Sequence, residues 1–111
     1  MAEYLQVVTT TETREHALTV ARETVRARAA ACAQVIGPIT SVFHWKGRIE
    51  EAGEYLCVMK TLSETYESLE KTIREFHAYE VPEIIALPIE KGGPDYLAWL
   101  KDEVKRQERE A

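Results

Sequence analysis

The 111-residue chain is poor in several residue types, and each shortage excludes something. There are two cysteines, Cys32 and Cys57, and they form no CxxC pair. Both sit in apolar, strand-like text, where a free thiol behaves as a small hydrophobe, so both are expected to be buried. A disulfide between them is disfavoured in a reducing compartment. Four prolines and five glycines, with no repeat, rule out a low-complexity fibre. No apolar run approaches the ~18 residues of a membrane helix. The opening MAEYLQVV lacks the basic start and long apolar stretch of a secretory signal. Basic residues are also short, 14 against 19 acidic, for a net charge of −5. They are interleaved with acids, as in KDEVKRQERE, and Glu23 interrupts the densest run, Arg22 to Arg28. A basic stripe for nucleic acid is missing. The expectation is a cytoplasmic protein with neither a nucleic-acid nor a membrane partner.

What is present is enough for one core. Hydrophobic residues make 45% of the chain and charged ones 30%, which excludes simple disorder. The length suits one domain over residues 1–111. Tyr4 to Thr10 is short and β-branched and reads as a strand. Thr13 to about Ala30 reads as a helix with Leu18, Ala21 and Val25 on its apolar face. From Ala31 the period changes, and ACAQVIGPITSVFHW reads as a long strand bent or bulged at Gly37-Pro38. Lys46-Gly47 makes a turn, and Arg48 to Thr61 returns as a second long strand. Leu62, Tyr66, Leu69, Ile73 and Phe76 form the clearest helical stripe, expected to pack in the core. Val81 to Ile89 reads as an edge strand with a proline near each end. Tyr96, Leu97, Leu100 and Val104 begin a closing helix, and the charged tail, about 102–111, is expected to fray. The order β-α-β-β-α-β plus a terminal helix is the α+β, ferredoxin-like arrangement.

Side chains alternate between the faces of a strand, so an exposed face shows polar residues at every second position. These strands do not. Ile85, Leu87 and Ile89 oppose Ile84 and Ala86, and Tyr55, Cys57 and Met59 oppose Leu56 and Val58. Two helices cover one face, and only the final helix is left for the other. An uncovered apolar sheet aggregates. A homo-oligomer packed sheet against sheet is therefore expected. The hairpin arms run to about 14 residues each, against a usual 5 or 6, so an arm can reach a neighbour's edge.

At this point the residues resemble a family. AACAQVIGPITSVFHWKGRIEEAGEYLCVMKT, followed by HAYEVPEIIALPIEKGGPDYLAWL, is similar to the CutA divalent-cation tolerance family. The similarity runs in order from about Val7 to Leu100. The strongest matches are Trp45-Lys46-Gly47, Glu54, Lys60-Thr61, His77, Tyr79-Glu80, Pro82-Glu83-Ile84 and Tyr96-Leu97-Trp99. The resemblance implies a ferredoxin-like subunit, a homotrimer, an architecture like the PII signalling proteins, and a role in tolerance of copper and other divalent cations. The number three comes from the resemblance alone. It implies no catalytic reaction and no required cofactor, with a divalent cation such as copper as a conditional ligand. One departure is Ala78 where the family has proline, which frees the helix to run slightly further past His77.

Copper proposals within the family draw on positions that match Thr9, Phe76 and His77. Of these only His77 is a ligand type, and one imidazole does not make a tight copper site. Two readings follow: His77 with Glu80, or with groups of another subunit, binds a divalent ion weakly, or His77 simply faces the helix C-terminal dipole. His16, on the exposed half of the first helix, and His44, near the hairpin tip, carry less. In the family, polar and aromatic residues beside strand ends gather at clefts between subunits. Here these are Trp45, Lys60, Tyr79, Glu80 and Glu83, a candidate small-ligand or ion site. The competing reading is an ion pair of Lys60 with one of these glutamates, setting how subunits dock. Trp45 and Trp99 read as packing anchors.

Enzyme readings find no support. GxSxG, HExxH and Walker sequences are absent. Acylphosphatases share the fold but cradle phosphate in a loop after the first strand. Thr9-Thr10-Thr11-Glu12 has no glycine there, and its acid repels an anion. The same loop argues against nucleotide binding in the PII manner at that place. The alternative function is a PII-like sensor or scaffold that binds a small molecule or partner at the inter-subunit cleft.

Overall fold

The computed structural model describes residues 2–110, with side chains described for 2–104. Strand β1 is Tyr4–Thr11, helix α1 Arg14–Arg26, β2 Cys32–Trp45, β3 Arg48–Leu62, α2 Tyr66–Phe76, β4 Ile84–Pro88 and α3 Pro94–Glu110. The sheet is antiparallel, in the order β2-β3-β1-β4. That order, with α1 and α2 packed into the core of one face, is the expected ferredoxin-like subunit. The expected edge strand is at an edge, but it is shorter than Val81 to Ile89. The expectation of a frayed tail concerns in part side chains that lie outside the described residues.

Thr13 caps α1 by accepting from the His16 N–H at 3.1 Å. The buried stripe of α1 is Ala17, Val20, Ala21 and Thr24, not the expected Leu18, Ala21 and Val25. Small side chains let the helix lie close on the sheet, which turns Val25 outward to 39% exposure. The helix ends at Arg26, earlier than Ala30. Arg28 takes the left-handed conformation at φ 57°, and Ala29 and Ala30 donate back to the Thr24 carbonyl.

The main core lies between α1, α2 and one sheet face. Val7, Cys57, Met59, Leu69 and Ile73 are fully buried there. The stripe read for α2 holds from Tyr66 onward. Leu62 does not belong to it. Strand β3 runs on through Leu62, and a 3-10 turn at Ser63–Thr65 separates it from α2. The alternation of β3 carries Leu62 to the other face, where it packs with Tyr4, Ala31, Leu100 and Val104 beneath α3.

The middle of that other face is apolar, while Gln6, Gln34 and Lys60 share the face towards the Leu62 end. Val8 pairs with Val58 and Ile85, and Leu56 pairs with Ile36 and Thr10. Ile36 is 52% exposed, Ile85 49% and Leu87 48%. The apolar patch anticipated from the strand alternation is therefore present, and among the described residues α3 packs at the Leu62 end.

Strands β2 and β3 are 14 and 15 residues long. Their register shifts between Ile36 and Ile39, at the Gly37-Pro38 pair expected to bulge. Strand β1 accompanies β3 only as far as Tyr55. From Glu54 to Arg48 the hairpin is a two-stranded ribbon, which stretches the molecule to 47 Å against 28 and 22 Å. Lys46 and Gly47 both have positive φ, 51° and 79°, the pattern of a two-residue I′ turn.

Candidate functional site

His77 ends α2. Its backbone is extended, at φ −85° and ψ 139°, so the helix does not run past it as the Ala78 departure had led us to expect. The ring explains why. Nε2 lies 2.8 Å from the Thr10 carbonyl and 3.1 Å from the Thr9 hydroxyl, while Nδ1 accepts the Tyr79 N–H at 3.0 Å. A carbonyl can only accept, so Nε2 carries the proton and the ring is neutral. Burial of the ring pushes its pKa below the ordinary histidine value, against the raising effect of the Thr10 carbonyl. The ring also stands 5.0 Å from that of Tyr79.

Tyr79 carries the geometry onward. Its hydroxyl donates to Glu54 Oε2 at 2.6 Å. Glu54 is only 7% exposed, at the point of β3 where the apolar run Tyr55 to Met59 begins. Burial and the Glu54 carboxylate together raise the Tyr79 pKa, and Glu12 adds to the effect. Thus Thr9, Thr10, His77, Tyr79 and Glu54 form one chain of contacts. It ties the β1 end and the α2–β4 connection to the base of the ribbon.

The copper positions of the family fit a tight metal centre poorly here. Thr9 offers a hydroxyl that already meets His77, Phe76 packs against the core, and both His77 nitrogens are engaged. Among the described residues, no cluster of three or more His, Cys, Asp or Glu side chains is placed to hold a metal ion. Glu80 and Glu83 are exposed, and His16 and His44 stand exposed on α1 and near the ribbon tip as expected.

The expected cleft residues do not converge within one chain. Trp45 stands opposite Arg48 at the ribbon tip, 52% exposed, with Lys46 Nζ 5.9 Å from its ring centroid. Lys60 lies opposite Gln6 and Cys32 near the other end of β3 and donates to Gln34 Oε1 at 2.8 Å, not to a glutamate. Tyr79 meets β3 at Glu54, midway between. Six residues of strand in either direction are roughly 20 Å. No single site within one chain joins Trp45, Lys60 and Tyr79. Trp99 is 43% exposed and Trp45 more so, so neither anchors the core of this chain.

The thiols divide. Cys57 is fully buried, and burial pushes its pKa up to about 12. Cys32, expected to be buried as well, is half-buried, with Sγ 3.3 Å from the Tyr96 hydroxyl. Its edge-strand position leaves one side open. Sequence reasoning quoted Glu54 but did not place it in a site. The signal was available: it is the lone acid opening the apolar run EYLCVM.

The topology, the long hairpin and the polar chain at the hairpin's base define a class: small α+β subunits with a projecting ribbon and one uncovered apolar sheet face. The profile of the CutA1 divalent ion tolerance protein family matches residues 5–103. The chain belongs to that family. The divalent-cation tolerance protein CutA of Thermus thermophilus is 38% identical over 86% of this chain and 93% of its own length. The mouse protein CutA is 48% identical over 73% of this chain. The chain spans about half the length of the mouse and Xenopus laevis relatives it matches, 46% and 55%. Among solved structures, the Thermus thermophilus divalent cation tolerance protein superposes with a TM-score of 0.88 at 36% identity, covering 90% of this chain and 97% of that one. The Archaeoglobus fulgidus structure, titled a periplasmic divalent cation tolerance protein, does so at 0.88 and 33%, covering 91% and 98%.

Proposed function

We propose that the protein is a homotrimeric, non-catalytic member of its family that serves tolerance of divalent cations, copper among them, with weak or conditional metal binding. The observation that carries this reading is the apolar second face. Ile36, Ile85 and Leu87 are half exposed in the single chain, and among the described residues α3 packs at the Leu62 end. Sheet-to-sheet packing of three copies removes that surface from water. Light scattering on the eluting protein tests it: a mass of three chains is expected, and a stable monomer at micromolar concentration refutes it.

Metal binding in this reading is weak because His77 must give up a contact with Thr10 or Tyr79 before it ligates, with Glu80 or another subunit supplying the rest. Equilibrium dialysis with Cu(II) and Zn(II) tests it. His77→Ala is expected to lower uptake, and identical uptake removes His77 from the site. A cytoplasmic location belongs to the same reading; no helix among the described residues is long and apolar enough to cross a membrane. Family members occur elsewhere too, one Arabidopsis thaliana relative being named chloroplastic.

One observation favours a second reading. Both His77 nitrogens serve the chain's own structure, so the residues around it suit presentation of a surface as well as ligation. In that reading Trp45, Lys60, Tyr79, Glu80 and Glu83 of different subunits form a cleft for a small molecule or partner, as in a PII-like sensor. A ligand that binds only the folded state raises the melting temperature. A larger shift with a metabolite than with a cation at equal concentration selects the second reading.

A further inference from the structure

A cavity of about 280 Å³ lies between the end of α1 and the body of α3, and its lining includes Val25, Arg26, Arg28, Ala30, Trp99 and Glu103. Small-molecule pockets start at roughly 300 Å³, so its size suits a ligand of one or two rings. Ala30 is buried, while Val25 and Trp99 are 39% and 43% exposed. The lining carries two guanidiniums and one carboxylate, in a chain whose net charge is −5. Arg26 pairs with Glu23 at 3.2 Å and its side chain is 72% exposed, against 31% for Arg28. Arg28 is therefore the better fixed of the two cations.

The backbone of Arg28 is costly for what it contributes to stability. Its φ of 57° is the left-handed conformation in which glycine is usual after a helix. Glycine would end α1 with the same backbone bonds, from residues 27 to 30 back to the carbonyls of Glu23, Thr24 and Val25. The arginine adds one part-exposed pair with Glu103, and such a pair contributes about as much as the left-handed backbone costs. Stability does not account for the residue, but its unused donors do. Both bonds to Glu103, to the carbonyl and to Oε1, come from Nη1 at 3.1 Å. Nε and Nη2 have no acceptor among the described residues. That edge of a guanidinium presents two parallel N–H groups, which match the two oxygens of a carboxylate. Trp99 adds an aromatic face, and its indole N–H makes no hydrogen bond among the described residues.

We infer that this cavity binds a small aromatic carboxylate, with the carboxylate on the Nε–Nη2 edge of Arg28 and the ring against Trp99. None of the lining residues belongs to the open patch at Ile36, Ile85 and Leu87, to the ribbon, or to the contacts around His77. The inference therefore rests on neither reading of the proposed function.

The probe is 2-naphthoate, and the reporter is the indole N–H signal of Trp99 in proton–nitrogen NMR of the full chain. The chain has two tryptophans, so Trp45 at the ribbon tip serves as the internal control. Saturable movement of the Trp99 signal is expected, with the Trp45 signal unmoved. The neutral 2-naphthamide is expected to bind about tenfold more weakly, because it lacks the charge. Arg28→Gln is expected to weaken 2-naphthoate about tenfold and to leave 2-naphthamide unchanged. Arg28→Gly, which relieves the backbone, carries the comparison if R28Q does not fold. Equal affinity for the acid and the amide overturns the inference. So do movement of both indole signals together, no movement up to about 5 mM, or unchanged 2-naphthoate affinity in the folded variant.

Discussion

His77 Nε2 meets the Thr10 carbonyl at 2.8 Å while the opposite ring nitrogen receives the Tyr79 N–H, so one imidazole staples the end of β1 to the start of the α2–β4 connection. The bond to Tyr79 exists only while Nδ1 is unprotonated. The folded pKa lies below the unfolded value because burial disfavours the charged ring. In the window between the two, the unfolded chain binds more protons, so stability rises with pH. The contribution is complete above the unfolded value near 6.5 and is lost as pH falls through the folded one. Urea unfolding from pH 7.5 down to pH about 5 is expected to show this slope, on the scale set by ordinary histidine titration. His77→Asn should flatten it. An unchanged slope means that another group is responsible.

Gly37 and Tyr55 make a second relationship with a measurable consequence. A Cβ on Gly37 would overlap the Tyr55 ring, which packs against the core. Gly37→Ala is expected to destabilise by about 1–3 kcal/mol, as overpacking does. In the Tyr55→Leu background the same change should cost clearly less, and a double-mutant cycle reads the difference.

Arg28 sits left-handed where glycine is the usual residue, and its side chain spans to α3. Nη1 donates to the Glu103 carbonyl and to Oε1, both at 3.1 Å. Arg28→Ala loses the span and keeps the unfavourable φ. Arg28→Gly loses the span and relieves it. Glycine is therefore expected to be the milder substitution, by about 1 kcal/mol. Equal losses would mean that the backbone at residue 28 is not left-handed in solution.

The open sheet face predicts a clean separation of fold from assembly. Ile36 and Ile85 are half exposed in one chain, so an aspartate at either should change subunit stability by little more than about 0.5 kcal/mol. In the proposed assembly the same aspartate would be buried without a partner. Ile36→Asp with Ile85→Asp should give a folded species of lower mass in light scattering. Retention of the wild-type mass in both would place the interface elsewhere.

Much of the fold was legible because it rests on local periodicity. The alternation in Glu54 to Met59, the stripe from Tyr66 to Phe76 and the break at Gly37-Pro38 each record a geometry that neighbouring residues share. The errors fell where two elements compete for one residue. Leu62 fits the spacing of α2, yet the strand claims it, because its side chain finds Leu100 and Val104 on the far face. Leu18 and Val25 look like the core of α1, yet Ala17 and Val20 are buried, because the closest approach of helix to sheet favours the smaller stripe.

The sequence by itself determined the order of elements, the long hairpin and the presence of apolar residues on both sheet faces, because these depend on spacing along the chain. Only the tertiary structure decided that His77 is neutral and doubly engaged, that Tyr79 meets Glu54, and that Lys60 and Trp45 lie far from both. The contacts of His77 with Thr9 and Thr10, and of Tyr79 with Glu54, join residues 25 to 68 positions apart. No local pattern encodes such a distance, since the side chains meet only once the sheet has aligned β1 and β3 and α2 has returned across it.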